Sequence, residues 1–312
     1  MTEAEERIRD DLAAQIKEPV RAVRAIPEGH SGFTYWVELD GGRAVLRLPP
    51  PGARIAGPAD IPRQARIMAA LHGQGLPVPA IVATSAGPVV DGRPFVLMEA
   101  IDADRVEQAI DAGSNPLQLA SSAVEVLRRF QAVPREKTGI GGEEPMPLEG
   151  EVARWRWLMD RAPSELTGQA PRLAQLLVER QPQPGPPVLV HGDYHFGNML
   201  FDGGRVAAVV DWEIAQLGQP LLDLCCISLS HVSADSVREM YGADPDDYRW
   251  YLALTYYKYA AIFGYNLMLH RRGKRPDPSY EQRTDTILGF IDQGVRMLGQ
   301  RGAPLRRGKA GR

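Results

Sequence analysis

At 312 residues, 44% of them hydrophobic and 24% charged, the chain has ordinary globular composition and length enough for two lobes or domains. A formal net charge of −3 leaves no overall basic balance with which to neutralise phosphates, so nucleic acid is not an expected partner. The opening MTEAEERIRDDLAAQIK lacks an apolar signal core, and no apolar run approaches the roughly 20 residues of a membrane span. The expectation is therefore a cytoplasmic protein without membrane contact. Cys225 and Cys226 are the only cysteines and are adjacent, which argues against an ordinary bridge between them and favours a reducing compartment.

In chain order, the segment to about Val23 mixes Glu, Arg, Ala and Leu and predicts a helix. Alternation then begins, with Phe33, Tyr35, Val37 and Leu39 on one side and Thr34, Trp36 and Glu38 on the other. Gly41-Gly42 predicts a turn into a second strand, Ala44 to Leu48. After a Pro/Gly-rich loop, Asp60 and Pro62 are start signals for a helix through about His72. Strands are expected in PAIVAT and RPFVLMEA, with VVDGR turning between them. Beyond Glu99 the spacing becomes helical, in LQLASSAVEVLRRFQAV and around EVARWRWLMD, until PQPGPP interrupts it. A hairpin follows, from NMLF across Asp202-Gly203-Gly204 to RVAAVVDWE. From Asp223 the chain reads as largely helical, and most aromatics of YRWYLALTYYKYAAIFGYNLMLH are expected in the core. DPDD reads as a solvated turn, and Trp155 and Trp157 as packing residues or as a border to a pocket.

The stretch VLVHGDYHFGNML holds the chemistry. His191, Asp193 and His195 alternate, and on a strand they would share one face and could bind zinc. Gly192 and Gly197 argue instead for a loop. A hairpin between Asn198 and Asp211 would bring its ends together, so that Asp193, Asn198 and Asp211 converge. Two carboxylates and an amide oxygen form the hard, oxygen-rich set that magnesium and phosphates require.

HGDYHFGNMLF followed by VVDWE resembles the catalytic segment of the aminoglycoside phosphotransferase superfamily, relatives of the protein kinases. The longer DWEIAQLGQPLLDL is most similar to phosphotransferase domains found free in bacteria and fused to some acyl-CoA dehydrogenases. The resemblance covers about residues 25 to 298. It implies an α+β, bilobal protein-kinase-like fold, with an antiparallel β-sheet N-lobe bearing one main helix and a mostly helical C-lobe. The lobes would be residues 1–100 and 101–300, with 301–312 a basic tail. It further implies an ATP- and magnesium-dependent kinase of a small hydroxyl-bearing molecule, with GTP not excluded. Asp193 would be the catalytic base, Asn198 and Asp211 the metal ligands, and His191 a brace for the loop. Asp223, in PLLDL, would be a buried residue tying that loop together.

On the nucleotide side, the resemblance makes the turn holding Ser31 and Gly32 a phosphate cover. Arg47 would stand where kinases carry their phosphate-binding lysine. Gln64 would occupy the helix position of the carboxylate that pairs with this cation. It shares a predicted helix face with Ile67, Met68 and Leu71, and can accept a hydrogen bond but brings no charge, so a looser phosphate clamp is expected. Met98, Glu99, Ala100 and Ile101 would form the hinge that meets the base. The acceptor is less constrained. Glu213, Asp244, Asp246 and Asp247 are candidate carboxylates, and Arg271, Arg272, Lys274 and Arg275 a candidate anionic anchor or a solvated helix end. Alternatives are a nucleotide-binding pseudokinase, suggested by Arg47 with Gln64, and a metal-dependent hydrolase on His191, Asp193 and His195.

Overall fold

The computed structural model describes residues 1–26 and 33–299. Helix α1 (Glu3–Ala13) begins with a capping box, in which Thr2 accepts from the Glu5 amide and Glu5 reaches back to Thr2. The predicted helix stops here, short of Val23. Pro19 supplies no amide proton for a further turn, and the chain re-enters as strand β1 (Val20–Ala25). Strands β2 (Phe33–Leu39) and β3 (Gly42–Leu48) follow as the alternation predicts. Helix α2 (Ile61–His72) starts at the Asp60 cap, and β4 (Ile81–Val90) and β5 (Arg93–Glu99) meet across Asp91 and Gly92, both at positive φ. The five strands form one antiparallel sheet in the order β1-β2-β3-β5-β4. Ile8 and Leu12 of α1 join Val23, Tyr35, Val37, Leu46, Leu48, Phe95 and Leu97 in a core against it. Each such side chain contributes about 1.5–3 kcal/mol on burial.

The same compact unit, Met1–Glu143 with Val188–Leu217, also holds α3 (Val106–Asp111), α4 (Pro116–Gln131), β6 (Val188–Val190), β7 (Met199–Asp202) and β8 (Arg205–Val209). Helix α4 is the platform for this segment. Its Ala123 carbonyl accepts from the Tyr194 hydroxyl at 2.9 Å, and its Ser122 hydroxyl accepts from the Val206 amide at 2.9 Å. The residues after β5 are tied to β7 by a reciprocal backbone pair between Asp104 and Phe201. Strand β9 (Gln216–Gly218) pairs with β6.

The second unit comprises Glu144–Pro187 and Gly218–Arg312. Its described residues form α5 (Leu148–Met159), α6 (Ala170–Glu179), α7 (Leu221–Ile227), α8 (Ala234–Tyr241), α9 (Pro245–Arg271) and α10 (Thr284–Gly299). Helix α9 packs against α5, α6, α7 and α10, which explains why its buried residues occupy nearly every face. Trp250, Tyr251, Tyr257 and Tyr259 are core residues as expected, and the Trp250 indole donates to the Leu177 carbonyl at 3.0 Å. Of DPDD, Asp244 is more than a solvated turn: it caps α9 by accepting from the Asp246 and Asp247 amides. Cys225 and Cys226 are both buried, and their thiols face the Tyr248 and Leu222 carbonyls. No helix among the described residues is long and apolar enough to cross a membrane.

Candidate active site

The catalytic segment is assembled by short-range bonds. Strand β6 delivers the chain to His191, and Gly192 turns it with φ at 86°. A Cβ at Gly192 would lie 2.7 Å from the Ile214 carbonyl oxygen, so this close approach needs glycine on two counts. The Asn198 amide nitrogen then donates to the Asp193 carbonyl at 2.9 Å and to its carboxylate Oδ2 at 3.1 Å. Both contacts use nitrogen, which leaves the Asn198 amide oxygen as the atom able to ligate a cation. The β7–β8 hairpin turns at Gly203 and Gly204, both at positive φ, and returns the chain so that the Val210 amide donates to the Asn198 carbonyl at 2.9 Å. Asp211 follows at once. It adopts φ 68°, a left-handed conformation that Asp tolerates better than most residues. Asp193, Asn198 and Asp211 thus come together as expected.

His191 is 1% exposed, and both ring nitrogens are engaged by backbone. Nε2 faces the Val210 carbonyl at 2.9 Å, and a carbonyl only accepts, so Nε2 bears the proton. Nδ1 accepts from the Asp193 amide at 3.2 Å. Burial pushes the imidazole down to about 4, against the opposing pull of the Asp193 and Asp211 charges. His191 is therefore a neutral brace joining the loop to the strand end. Trp212 stacks on it edge to face at 4.6 Å and anchors its own indole on the Val209 carbonyl.

His195, unassigned from sequence, has specific partners. Its Nδ1 accepts from the Gly197 amide at 3.0 Å, and Nε2 lies 3.3 Å from Asp193 Oδ2. A side chain at Gly197 would strike the His195 ring, so the glycine keeps this contact open. With the lone pairs at Nδ1 of both histidines facing amide protons, the alternating histidines do not form a zinc nest. Among the described residues, no group of three or more His, Cys, Asp and Glu side chains is arranged to hold a metal ion. Asn198 and Asp211 offer hard oxygen donors, which would suit a magnesium ion.

Arg47 lies on β3 on the face opposite Leu46 and Leu48, and is 8% exposed. Its Nη1 contacts Asp211 Oδ1 at 2.7 Å and its Nη2 contacts Glu213 Oε2 at 2.5 Å. Burial alone would lower the guanidinium, but the two carboxylates outweigh it and raise it. Gln64 is buried on the predicted face of α2 with Ile67, Met68 and Leu71, yet its amide donates to the Pro58 carbonyl at 2.9 Å. Arg47 has its counter-charges in the DWE segment, from Asp211 and Glu213. Arg63 makes a bidentate pair with Glu143 and donates to the Ala215 carbonyl at 2.9 Å. It ties α2 to the chain just beyond Glu213. An Arg at the third residue of a predicted helix carries no local signal of such a partner.

Of the other sequence candidates, Met98 and Glu99 end β5, with Met98 buried and the Glu99 amide bonded to the Ala80 carbonyl. Ala100 and Ile101 follow, half-buried. Ser31 and Gly32 lie outside the described residues. Asp223 is 1% exposed on α7, in the second unit. Trp155 is buried and donates to Glu151, whereas Trp157 is half exposed beside Tyr265. Arg271 pairs with Glu165 and Glu281.

Residues 22–254 match the phosphotransferase enzyme family APH. The chain is 27% identical over 268 residues to acyl-CoA dehydrogenase family member 10 of Mus musculus, a match spanning 75% of this chain and 25% of that protein. It is 28% identical over 211 residues to homoserine kinase of Pseudomonas aeruginosa, covering 66% of this chain and 63% of the kinase. The chain thus spans only about a quarter of the dehydrogenase-family relative. In fold it is similar to a Ralstonia eutropha protein described as an aminoglycoside phosphotransferase, with TM-score 0.76, 21% identity, and coverage of 94% of this chain and 98% of that one. It is also similar to a thermostable mutant of aminoglycoside phosphotransferase APH(4)-Ia in ternary complex with AMP-PNP and hygromycin B, with TM-score 0.68, 15% identity, and coverage of 93% and 98%.

Proposed function

Because this chain belongs to the phosphotransferase enzyme family, we propose that it moves the terminal phosphoryl group of ATP to a hydroxyl of a small molecule, with Asp193 as the base. The observation that carries this reading is the Asn198 side chain bonded to both the carbonyl and the carboxylate of Asp193, while Asp211 stands beside it at the hairpin end. That arrangement separates two duties. Asp193 orients the acceptor hydroxyl and takes its proton as the oxygen attacks phosphorus and the bridging P–O bond to the nucleotide breaks. Asn198, through its amide oxygen, and Asp211 would hold magnesium, which supplies neutralisation of charge on the phosphate oxygens. His195, against Asp193 Oδ2, holds that carboxylate in one rotamer. His191 stays neutral and keeps the loop on the strand end. Arg47 would meet phosphate, and the β5 end with Ala100 and Ile101 would meet the base.

The relatives suggest acceptors to try. Homoserine kinase points to a small amino-acid alcohol, and the dehydrogenase-family relatives to hydroxyacyl thioesters. The test measures consumption of ATP and of GTP, with and without magnesium, across those acceptors and aminoglycosides. Asp193→Asn should lower turnover by about 10²–10⁴-fold while leaving the folding transition in place. Turnover that survives this substitution would remove Asp193 from the chemistry. Nucleotide binding without transfer to any acceptor would favour a pseudokinase.

A further inference from the structure

We infer that Glu213 is a positioning residue for the phosphate-binding cation, taking the place of the helix carboxylate that position 64 does not supply. The inference rests on the phosphotransferase reading of the site. Arg47 is a largely buried guanidinium, and such a group needs a counter-charge. It has Asp211 on one nitrogen and Glu213 on the other. These two carboxylates do not have equal futures when a magnesium nucleotide binds. Asp211 would also serve as a ligand to magnesium, which would compete with its hold on Arg47. Glu213, on the other nitrogen, would remain to fix the direction of the fork.

Glu213 is built to do this. Its side chain is 17% exposed, so its interaction with Arg47 is only weakly screened. The segment around it is pinned on both sides. Trp212 is 1% exposed and bonded to the Val209 carbonyl, the Ile214 carbonyl lies against Gly192, and the Ala215 carbonyl is held by Arg63. Gln64, at the helix position where the resemblance expects a carboxylate, donates its amide to the Pro58 carbonyl. The cation and its carboxylate are 166 residues apart, so no local pattern announces the pair.

The experiment is calorimetric titration of the full chain with ATP, with and without magnesium, which requires no knowledge of the acceptor. Wild type, Glu213→Gln, Glu213→Asp, Arg47→Lys and the double variant Arg47→Lys/Glu213→Gln are compared. With magnesium, Glu213→Gln should weaken ATP binding by about 10–100-fold, the worth of a charge-assisted hydrogen bond. Without magnesium, Asp211 stays with Arg47 and the loss should be several-fold smaller. Glu213→Asp should recover part of the affinity, and in the Arg47→Lys background the Glu213 effect should shrink. An equal loss with and without magnesium, or an unchanged affinity in Glu213→Gln, overturns the positioning role and leaves the phosphotransferase reading standing. If wild type itself binds neither ATP nor GTP with magnesium, that reading falls and this inference falls with it.

Discussion

Replacing His191 with Gln tests the neutral brace directly, because a buried imidazole leaves a signature in the pH dependence of stability. The folded-state value lies at about 4 and the unfolded value at 6.5. Above the unfolded value neither state binds the proton, so the histidine has no pH-dependent effect. Between the two values the unfolded chain takes up a proton that the folded chain refuses, and stability falls as the solution becomes more acidic. Integrated from pH 7 down to pH 5, the loss is about 2 kcal/mol. Gln keeps an amide proton for the Val210 carbonyl but does not titrate, and it gives up the ring contact with Trp212 at 4.6 Å. The variant should therefore be less stable than wild type at pH 7, and the gap should narrow by about 2 kcal/mol at pH 5. Urea denaturation of both proteins at the two pH values measures this, since every other titrating group is common to both. A gap of the same size at both pH values would show that His191 is not a buried neutral group, and the brace would have to be abandoned.

Gly192→Ala forces a Cβ into a φ of 86° and to within 2.7 Å of the Ile214 carbonyl. It should destabilise the protein by about 2–4 kcal/mol, read as a lower denaturation midpoint, because the two close-packed loops must separate. Trp250→Phe removes the donor to the Leu177 carbonyl in the second unit, and should cost about 1–3 kcal/mol in thermal or urea unfolding.

Local order in the chain was enough to determine much of this protein. Alternation over Phe33–Leu39, the Asp60-Pro62 helix start and the Asp202-Gly203-Gly204 turn each depend on neighbours within a few residues, and each stands where expected. The first hairpin turns at Asp40-Gly41, one residue before the predicted pair, with Gly42 already opposite Leu39. The convergence of Asp193, Asn198 and Asp211 was legible for the same reason, since a single tight hairpin closes it. The first strand was not legible. A six-residue piece with two buried side chains has too little periodicity to be told from the end of a helix, and its partner β2 decides it.

The charge arrangement belongs to tertiary structure alone. Arg47 stands 164 and 166 residues from the carboxylates that hold it, and its strand face is set by the core on the other side of the sheet. Gln64 was rightly placed on its helix, but the helix face cannot say that Pro58 would claim its amide. The neutrality of His191 likewise follows from burial under Trp212 and two backbone bonds, none of which is written in the histidine itself. Sequence sets which atoms are available and which short turns form. Which charges share a buried space is decided only when distant segments pack, because the electrostatic energy depends on separation and burial and not on order along the chain.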